Sequence, residues 1–222
     1  MYIANKCQCP DCNETAITTI DEFDNIISGP GFCLKHTKDP IKAQIKLLNY
    51  IQNHDTITGV SFSGMNVSNL DLSHKRFYGC NFRHCNFANI HSDGLRVKIS
   101  FLDFSTFSEC DMINSHIQFC SFSGSRFVHV IFTGSDLIHN NFNGTTLYQS
   151  SFDKSDLYNS SFIKSILINT SMTDCNLKKT VFYESIRDKV SFRLSNTREA
   201  YVIRGNDMTS LDDLDKDPEG AL

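Results

Sequence analysis

Hydrophobic positions recur every five residues between about Val60 and Ser195. Counted from Phe62, the frame passes through Val67, Leu72, Phe77, Phe82 and Phe87 and runs without a slip to Phe182 and Phe192. Of its 27 positions, 25 hold Phe, Leu, Met, Ile or Val; only Ser92 and Arg187 depart. Two residues before most centres sits a small residue, as at Cys80, Cys85, Ser105, Ser125, Ser155 and Cys175. Two residues after it come six glycines, five asparagines, four histidines (His74, His84, His129, His139) and Asp174. A period of five matches neither the 3.6 of a helix nor the sustained alternation of a strand. It matches a small-then-large alternation on a very short extended segment, followed by a turn. The residue types of the last slot tolerate positive φ, which such a turn demands. The pattern therefore predicts a repeat architecture in which the small and large residues point inward together. Phe142 and Phe152 are expected at the centre of the core, and their outward neighbours Asn143 and Asp153 are expected to tolerate replacement.

Stretches such as Cys80-Asn81-Phe82, Cys85-Asn86-Phe87, Ser135-Asp136-Leu137 and Cys175-Asn176-Leu177 follow the unit A-(D/N)-L-x-x. In this the chain resembles the pentapeptide-repeat family, over about three fifths of its length. The resemblance implies an all-β fold, a right-handed quadrilateral β-helix with four pentapeptides per coil. Twenty-seven units give about seven coils at the strand spacing of about 4.8 Å, a rod of about 30 Å. The pattern weakens around Ile90–Ile99 and Ser185–Lys189, where a bulge or loop is expected. The repeat domain is drawn as residues 58–197, with an N-terminal cap over 1–57 and a C-terminal cap and acidic tail, partly disordered, over 198–222.

Residues 1–57 lack the period and concentrate four of the nine cysteines. Cys9-Pro10-Asp11-Cys12 and Cys33-Leu34-Lys35-His36 have the spacing of a tetrahedral zinc site, with Cys9, Cys12, Cys33 and His36 as ligands and Cys7 as a substitute. Four protein ligands leave no open position, so the zinc is read as structural. Asp39-Pro40 opens a helix over about 39–53. Its apolar stripe of Ile41, Ile45, Leu48 and Ile51, with Leu47 nearby, is expected to close the open end of the solenoid. An amphipathic membrane helix is the competing reading of that stretch. At the other end, Ala200–Ile203 reads as a last strand, and a short helix capped by Thr209 or Ser210 can follow over 209–214.

Composition narrows the function. The formal net charge is −4, and no apolar run approaches membrane-spanning length or resembles a signal peptide. Nine cysteines without a secretion signal point to a reducing cytoplasm. No nucleophile elbow, phosphate loop or H-E-x-x-H is present, and His74/His84 and His129/His139 fall in turn slots on opposite sides of a coil. An enzyme using the Cys/His cluster is thus the remote alternative to a non-catalytic scaffold or protein-interaction module. The resemblance also brings in a group within the family that mimics DNA and protects gyrase from quinolones. Mimicry needs an acidic rod, whereas residues 60–197 carry 13 Lys and Arg against 11 Asp and Glu. The basic residues form no long stripe in the sequence, which argues against nucleic acid as a partner. Outward slots near the C-terminal end hold Tyr148, Ile163, Ile166, Ile168, Val181, Tyr183 and Ile186. That apolar patch reads as a partner surface, with a homodimer as its occupant, or else as a surface covered by the chain's own residues 200–222.

Overall fold

The computed structural model describes residues 5–27, 29–204 and 207–210, with side chains as far as Tyr201. Within it, residues from Thr56 onward wind into a four-sided β-solenoid of about seven turns. Within the coils, strands pair in parallel at a spacing of twenty residues: Arg76 with Arg96, Phe87 with Phe107, Leu147 with Leu167. Four units of five thus close one coil. The first face carries Phe77, Val97 and Ile117, and the second Phe82, Phe122 and Phe162. The third carries Phe87, Phe107 and Leu167, and the fourth Leu72, Phe132 and Phe152. The third face is a seven-stranded sheet from Asn66–Ser68 to Ile186–Asp188. The second and fourth are held mainly by single bridges such as Ser61 to Asn81 and Asp71 to His91.

Each unit turns through a residue in the left-handed region. Gly64, Gly124 and Gly144 do so freely, but Ile99 (φ 51°), Phe104 (57°) and Phe119 (55°) occupy the same slot. A β-branched or bulky residue there is strained, and the other four residues of the unit impose it.

The core is a set of ring ladders. Phe122, Phe142, Phe162 and Phe182 stack with centroids 4.8–5.1 Å apart, and Phe87, Phe107 and Phe127 do the same at 4.7 and 4.9 Å. The small slot has a polar task as well as a steric one. The Ser155 hydroxyl donates to the Phe132 carbonyl at 2.8 Å and accepts from the Ser135 N–H at 3.1 Å. Ser105, Ser125, Ser160 and Ser195 donate in the same way to the carbonyl 23 residues earlier. Cys85 and Cys175 place their thiols in the same role.

The structure corrects several expectations. No bulge occurs at Ile90–Ile99: Ser92 points inward, fully buried, its hydroxyl donating to the Asp111 carbonyl. Ile186–Asp188 stays in register with Ile166–Ile168, so the second expected irregularity is also absent. The backbone ladder tolerates a polar centre because its neighbours hold the phase. Asn143 and Asp153 are not idle either. Asn143 Oδ1 accepts the Ile163 N–H at 2.8 Å, and Asp153 Oδ1 accepts the Thr173 N–H at 2.8 Å.

The helix Pro40–Asn53 forms as predicted, with Asp39 Oδ1 accepting the Lys42 N–H at 3.0 Å. Its buried face is Leu47, Tyr50 and Ile51, whereas Ile41 and Ile45 are 73 % and 51 % exposed. Only the second half of the helix covers the first coil, so the apolar stripe overhangs the rod at its start. Ile17 and Ile20 join Leu47 and Ile51 in one core continuous with Ile57, Phe62 and Val67. Thr18 donates its N–H to the Ser61 carbonyl and accepts the Ser61 N–H on its hydroxyl. Lys75 Nζ donates to the carbonyls of Gln52 and His54. The cap thus extends the solenoid's ladder and shields its first rung. At the far end Tyr201–Arg204 pairs with Val181–Phe182, and Asp207–Ser210 returns antiparallel to it. Thr209 and Ser210 are therefore strand residues. The expected disordered tail and the remainder of the expected helix lie outside the described residues.

Candidate metal centre and interaction surface

The N-terminal cysteines converge through three backbone contacts. Lys6 bridges Thr15 antiparallel, Cys7 bridges Gly31 in parallel, and the Gln8 N–H donates to the Gly31 carbonyl. The turn Cys9–Cys12 is closed by the Cys12 N–H donating to the Cys9 carbonyl at 3.2 Å, with Asp11 at φ 61°. A second turn closes on Cys33, whose carbonyl accepts the N–H groups of His36 and Thr37. The result groups Cys7, Cys12, Cys33 and His36, with ligand atoms all within 4.8 Å of one another. Cys9 was expected in this set and lies outside it. Its carbonyl is used in the turn, its thiol packs against the cluster from outside, and Cys7 takes the fourth place.

The spacing has the dimensions of a tetrahedron. His36 Nδ1 lies 3.5 Å from Cys7 Sγ and 3.4 Å from Cys33 Sγ, and Cys12 Sγ lies 3.9 Å from Cys33 Sγ. Zn–S and Zn–N bonds of about 2.3 and 2.0–2.1 Å at tetrahedral angles give S···N near 3.5 Å and S···S near 3.8 Å. Electrostatics separates Cys7 from the thiols of the rod. Burial alone would push the Cys7 thiol up, but hydrogen bonds from the backbone of Cys33 and Cys9 and from His36 bring it down to about 6. Burial raises Cys33, and its thiol neighbours Cys7 and Cys12 add to the rise. In the rod, burial drives Cys85 and Cys120 up to about 12 and Cys80 and Cys175 up to about 11. Those thiols are packing groups.

The outward patch is assembled by register. Val128, Tyr148 and Ile168 align in one column of the third face, and Ile166 and Ile186 in the other. Ile163, Val181 and Tyr183 lie on the second face, across the corner. Tyr148, Tyr183 and Ile186 are exposed, and Ile163, Ile166, Ile168 and Val181 are half-buried. The C-terminal hairpin extends the second face beyond Val181, so among the described residues it does not cover Ile166, Ile168 or Ile186. The turn-slot histidines keep apart, as the spacing required. His129 contacts Glu109 and Gln149 on its own corner, and His139 stacks on Phe119. His91 and His116 pair with Asp111 and Asp136, each at 3.6 Å. A residue and its neighbour twenty positions on form such pairs, a signal visible only once the coil length is fixed.

A family model described as "Pentapeptide repeats" matches in eight copies, over residues 57–91, 118–153, 131–167 and 141–178 among them. Solved structures with a similar course include the pentapeptide-repeat protein Rfr23 from the cyanobacterium Cyanothece 51142. It is 10 % identical, with 71 % of this chain and 98 % of that one covered and a TM-score of 0.40. Another is QnrB1, a plasmid-mediated fluoroquinolone resistance protein, at 17 % identity, 67 % and 84 % coverage and a TM-score of 0.34. A third is HetL from Nostoc sp. strain PCC 7120, a pentapeptide-repeat protein involved in heterocyst differentiation regulation. It shows 12 % identity, 72 % and 97 % coverage and a TM-score of 0.26. No curated protein sequence matches the chain.

Proposed function

The chain belongs to the pentapeptide-repeat family, and from that premise we propose that it is a non-catalytic protein-interaction module with a zinc-stapled N-terminal cap. The observation that carries the interaction reading is the apolar patch around Ile168. Side chains such as Ile186, 62 % exposed, stand in two aligned columns of the third face. Each gains on the order of 1.5–3 kcal/mol on full burial, so the patch favours a partner. We assign that partner to a second copy of the chain, because a two-fold axis through the third face sets Ile166, Ile168 and Ile186 of each copy against the other. Light scattering should give the mass of a dimer, and Ile168→Asp should give a monomer with an unchanged β-sheet spectrum. A wild-type protein that runs as a monomer at high concentration would sink the dimer reading.

Zinc is the metal that the Cys7, Cys12, Cys33 and His36 geometry favours, since soft thiolates and one imidazole at tetrahedral spacing suit it. Its role here is to hold two turns together. The charge pattern does not favour DNA mimicry: Arg76, Arg96 and Lys98 on the first face make no ion pair among the described residues. No helix among the described residues is long and apolar enough to cross a membrane. All nine cysteines are free, which suits a reducing cytoplasm.

A further inference from the structure

We propose that Cys9 is an oxidant-sensitive site: a peroxide joins it to Cys12 in a disulfide, which takes Cys12 out of the metal centre and frees the cap from its staple. The proposal rests on the zinc reading of Cys7, Cys12, Cys33 and His36. Of the nine cysteines, Cys9 alone is not buried. Susceptibility to oxidation follows exposure as well as thiolate character, so an oxidant from solvent meets Cys9 first. Cys9 also has no place in the four-donor set, so coordination does not mask its sulfur. Its side chain nevertheless packs directly against the buried thiols of Cys7, Cys12 and Cys33.

The turn Cys9-Pro10-Asp11-Cys12 prepares the pair. Pro10 presets the backbone at its second position, Asp11 takes φ 61° at its third, and the Cys12 N–H closes it on the Cys9 carbonyl. Such a turn holds its end Cα atoms within about 7 Å, and a disulfide spans Cα separations of about 4.4–6.8 Å. Cys12 thus has two sets of neighbours. On one side are Cys33, with its Sγ 3.9 Å away, and Cys7 and His36. On the other is Cys9, across the turn. The chemistry balances with hydrogen peroxide as the oxidant. The Cys9 sulfur attacks one peroxide oxygen; an S–O bond forms, the O–O bond breaks, and water leaves. The Cys12 thiolate then attacks the Cys9 sulfur; an S–S bond forms, the S–O bond breaks, and the departing hydroxide takes a proton from solvent. The two sulfurs together give up two electrons to the peroxide. Three donors remain where four stood, too few to close the site. The turn that Cys33 closes with His36 is then no longer tied to the Cys9–Cys12 turn through Cys12. A thiol reductant reverses the step by exchange.

The test treats the full chain, loaded with zinc, with hydrogen peroxide. A chromogenic chelator reads released metal, and mass spectrometry of proteolytic peptides maps the cysteines. Before oxidant, the unaltered protein and Cys9→Ser should hold equal zinc, because the turn uses only the backbone carbonyl of Cys9. With peroxide, release from Cys9→Ser should be about tenfold slower, and the unaltered protein should yield a Cys9–Cys12 peptide lighter by two hydrogen atoms. The buried rod cysteines should stay reduced, and dithiothreitol with added zinc should restore the metal. Equal release from the two proteins would overturn the proposal while leaving the zinc site standing. So would a Cys12–Cys33 disulfide with Cys9 still reduced, or loss of zinc from Cys9→Ser before oxidant, which would make Cys9 a ligand. Absence of zinc from the unaltered protein before oxidant would fail the zinc reading itself, and the proposal with it.

Discussion

At the scale of single residues, the unit of stability is a side chain that serves the coil twenty residues away. A phenylalanine centre does this by stacking, and Phe142 touches rings at 122, 152 and 162. Phe142→Ala should lower the unfolding free energy by about 3–5 kcal/mol. Asp153→Ala should cost about 1–2 kcal/mol despite its outward slot, because the Thr173 N–H and the Ser171 hydroxyl both donate to it. Urea denaturation of both variants checks the ratio; a silent Asp153→Ala would restore the simpler view of the outward slots. Ionisable ladders obey the same geometry. Hydrogen bonding to Glu109, and then to Gln149, raises the His129 pKa above its ordinary 6.5. A raised folded-state value means that the contribution of charged His129 is complete below about 6.5 and is lost as pH rises through the folded value. Its exposure keeps the effect small. In an NMR titration, Glu109→Gln should return the His129 midpoint toward 6.5, whereas an unmoved midpoint would remove Glu109 as the cause. The inward and turn slots were legible in the sequence because steric demand filters residue type at one phase of five. The ladder partners were not, since Asp153 to Thr173 is a pairing that exists only after the coil closes.

Among the elements, the cap joins two stabilising devices of different kinds. Its helix and the Ile17–Ile20 stretch share the rod's apolar core, whereas the cysteine–histidine cluster stands apart from it. Removing the metal should therefore loosen the turns at Cys9–Cys12 and Cys33–His36 while leaving Pro40–Asn53 folded. Hydrogen exchange on protein stripped of zinc by a chelator, or on Cys33→Ser, should show faster exchange over residues 6–15 and 31–37 and unchanged protection from Leu47 onward. Loss of protection in the helix as well would mean that metal and apolar core act as one unit. The sequence pointed to the cluster from paired cysteine spacing, whereas the structure groups Cys7, its expected substitute, rather than Cys9 with Cys12, Cys33 and His36. Cys9 and Cys12 have the familiar two-residue gap, and only the bridge between Cys7 and Gly31 brings Cys7 forward instead. The helix was placed correctly from its Asp-Pro start, while its buried face was misphased because nothing in the sequence says how far it overhangs the first coil.

For the whole molecule, the fold was the most legible property, because a frame of 27 units without an insertion admits few architectures. The outward columns were less legible, since they are formed by residues twenty and forty apart. The stacking of Ile166 on Ile186 and of Arg76 on Arg96 is of that sort. The unbroken phase has a further meaning: length in this protein comes in quanta. Excising residues 122–141 would join Ser121 to Phe142, keep every later residue on its face, and set Gln149 directly against Glu109 on their corner. The shortened chain should fold and lose one rung, about 4.8 Å, from its long axis, measurable by small-angle scattering. Excising only 122–126 removes a quarter of a revolution and turns all downstream faces by one side. That protein would keep its turns and its small inward slots, yet every ring ladder, charge column and apolar column that crosses the junction would be cut there and re-paired with strangers. The molecule is commensurate with twenty, and a lineage that grows or shrinks it by anything else must rebuild the contacts between the coils on either side of the break.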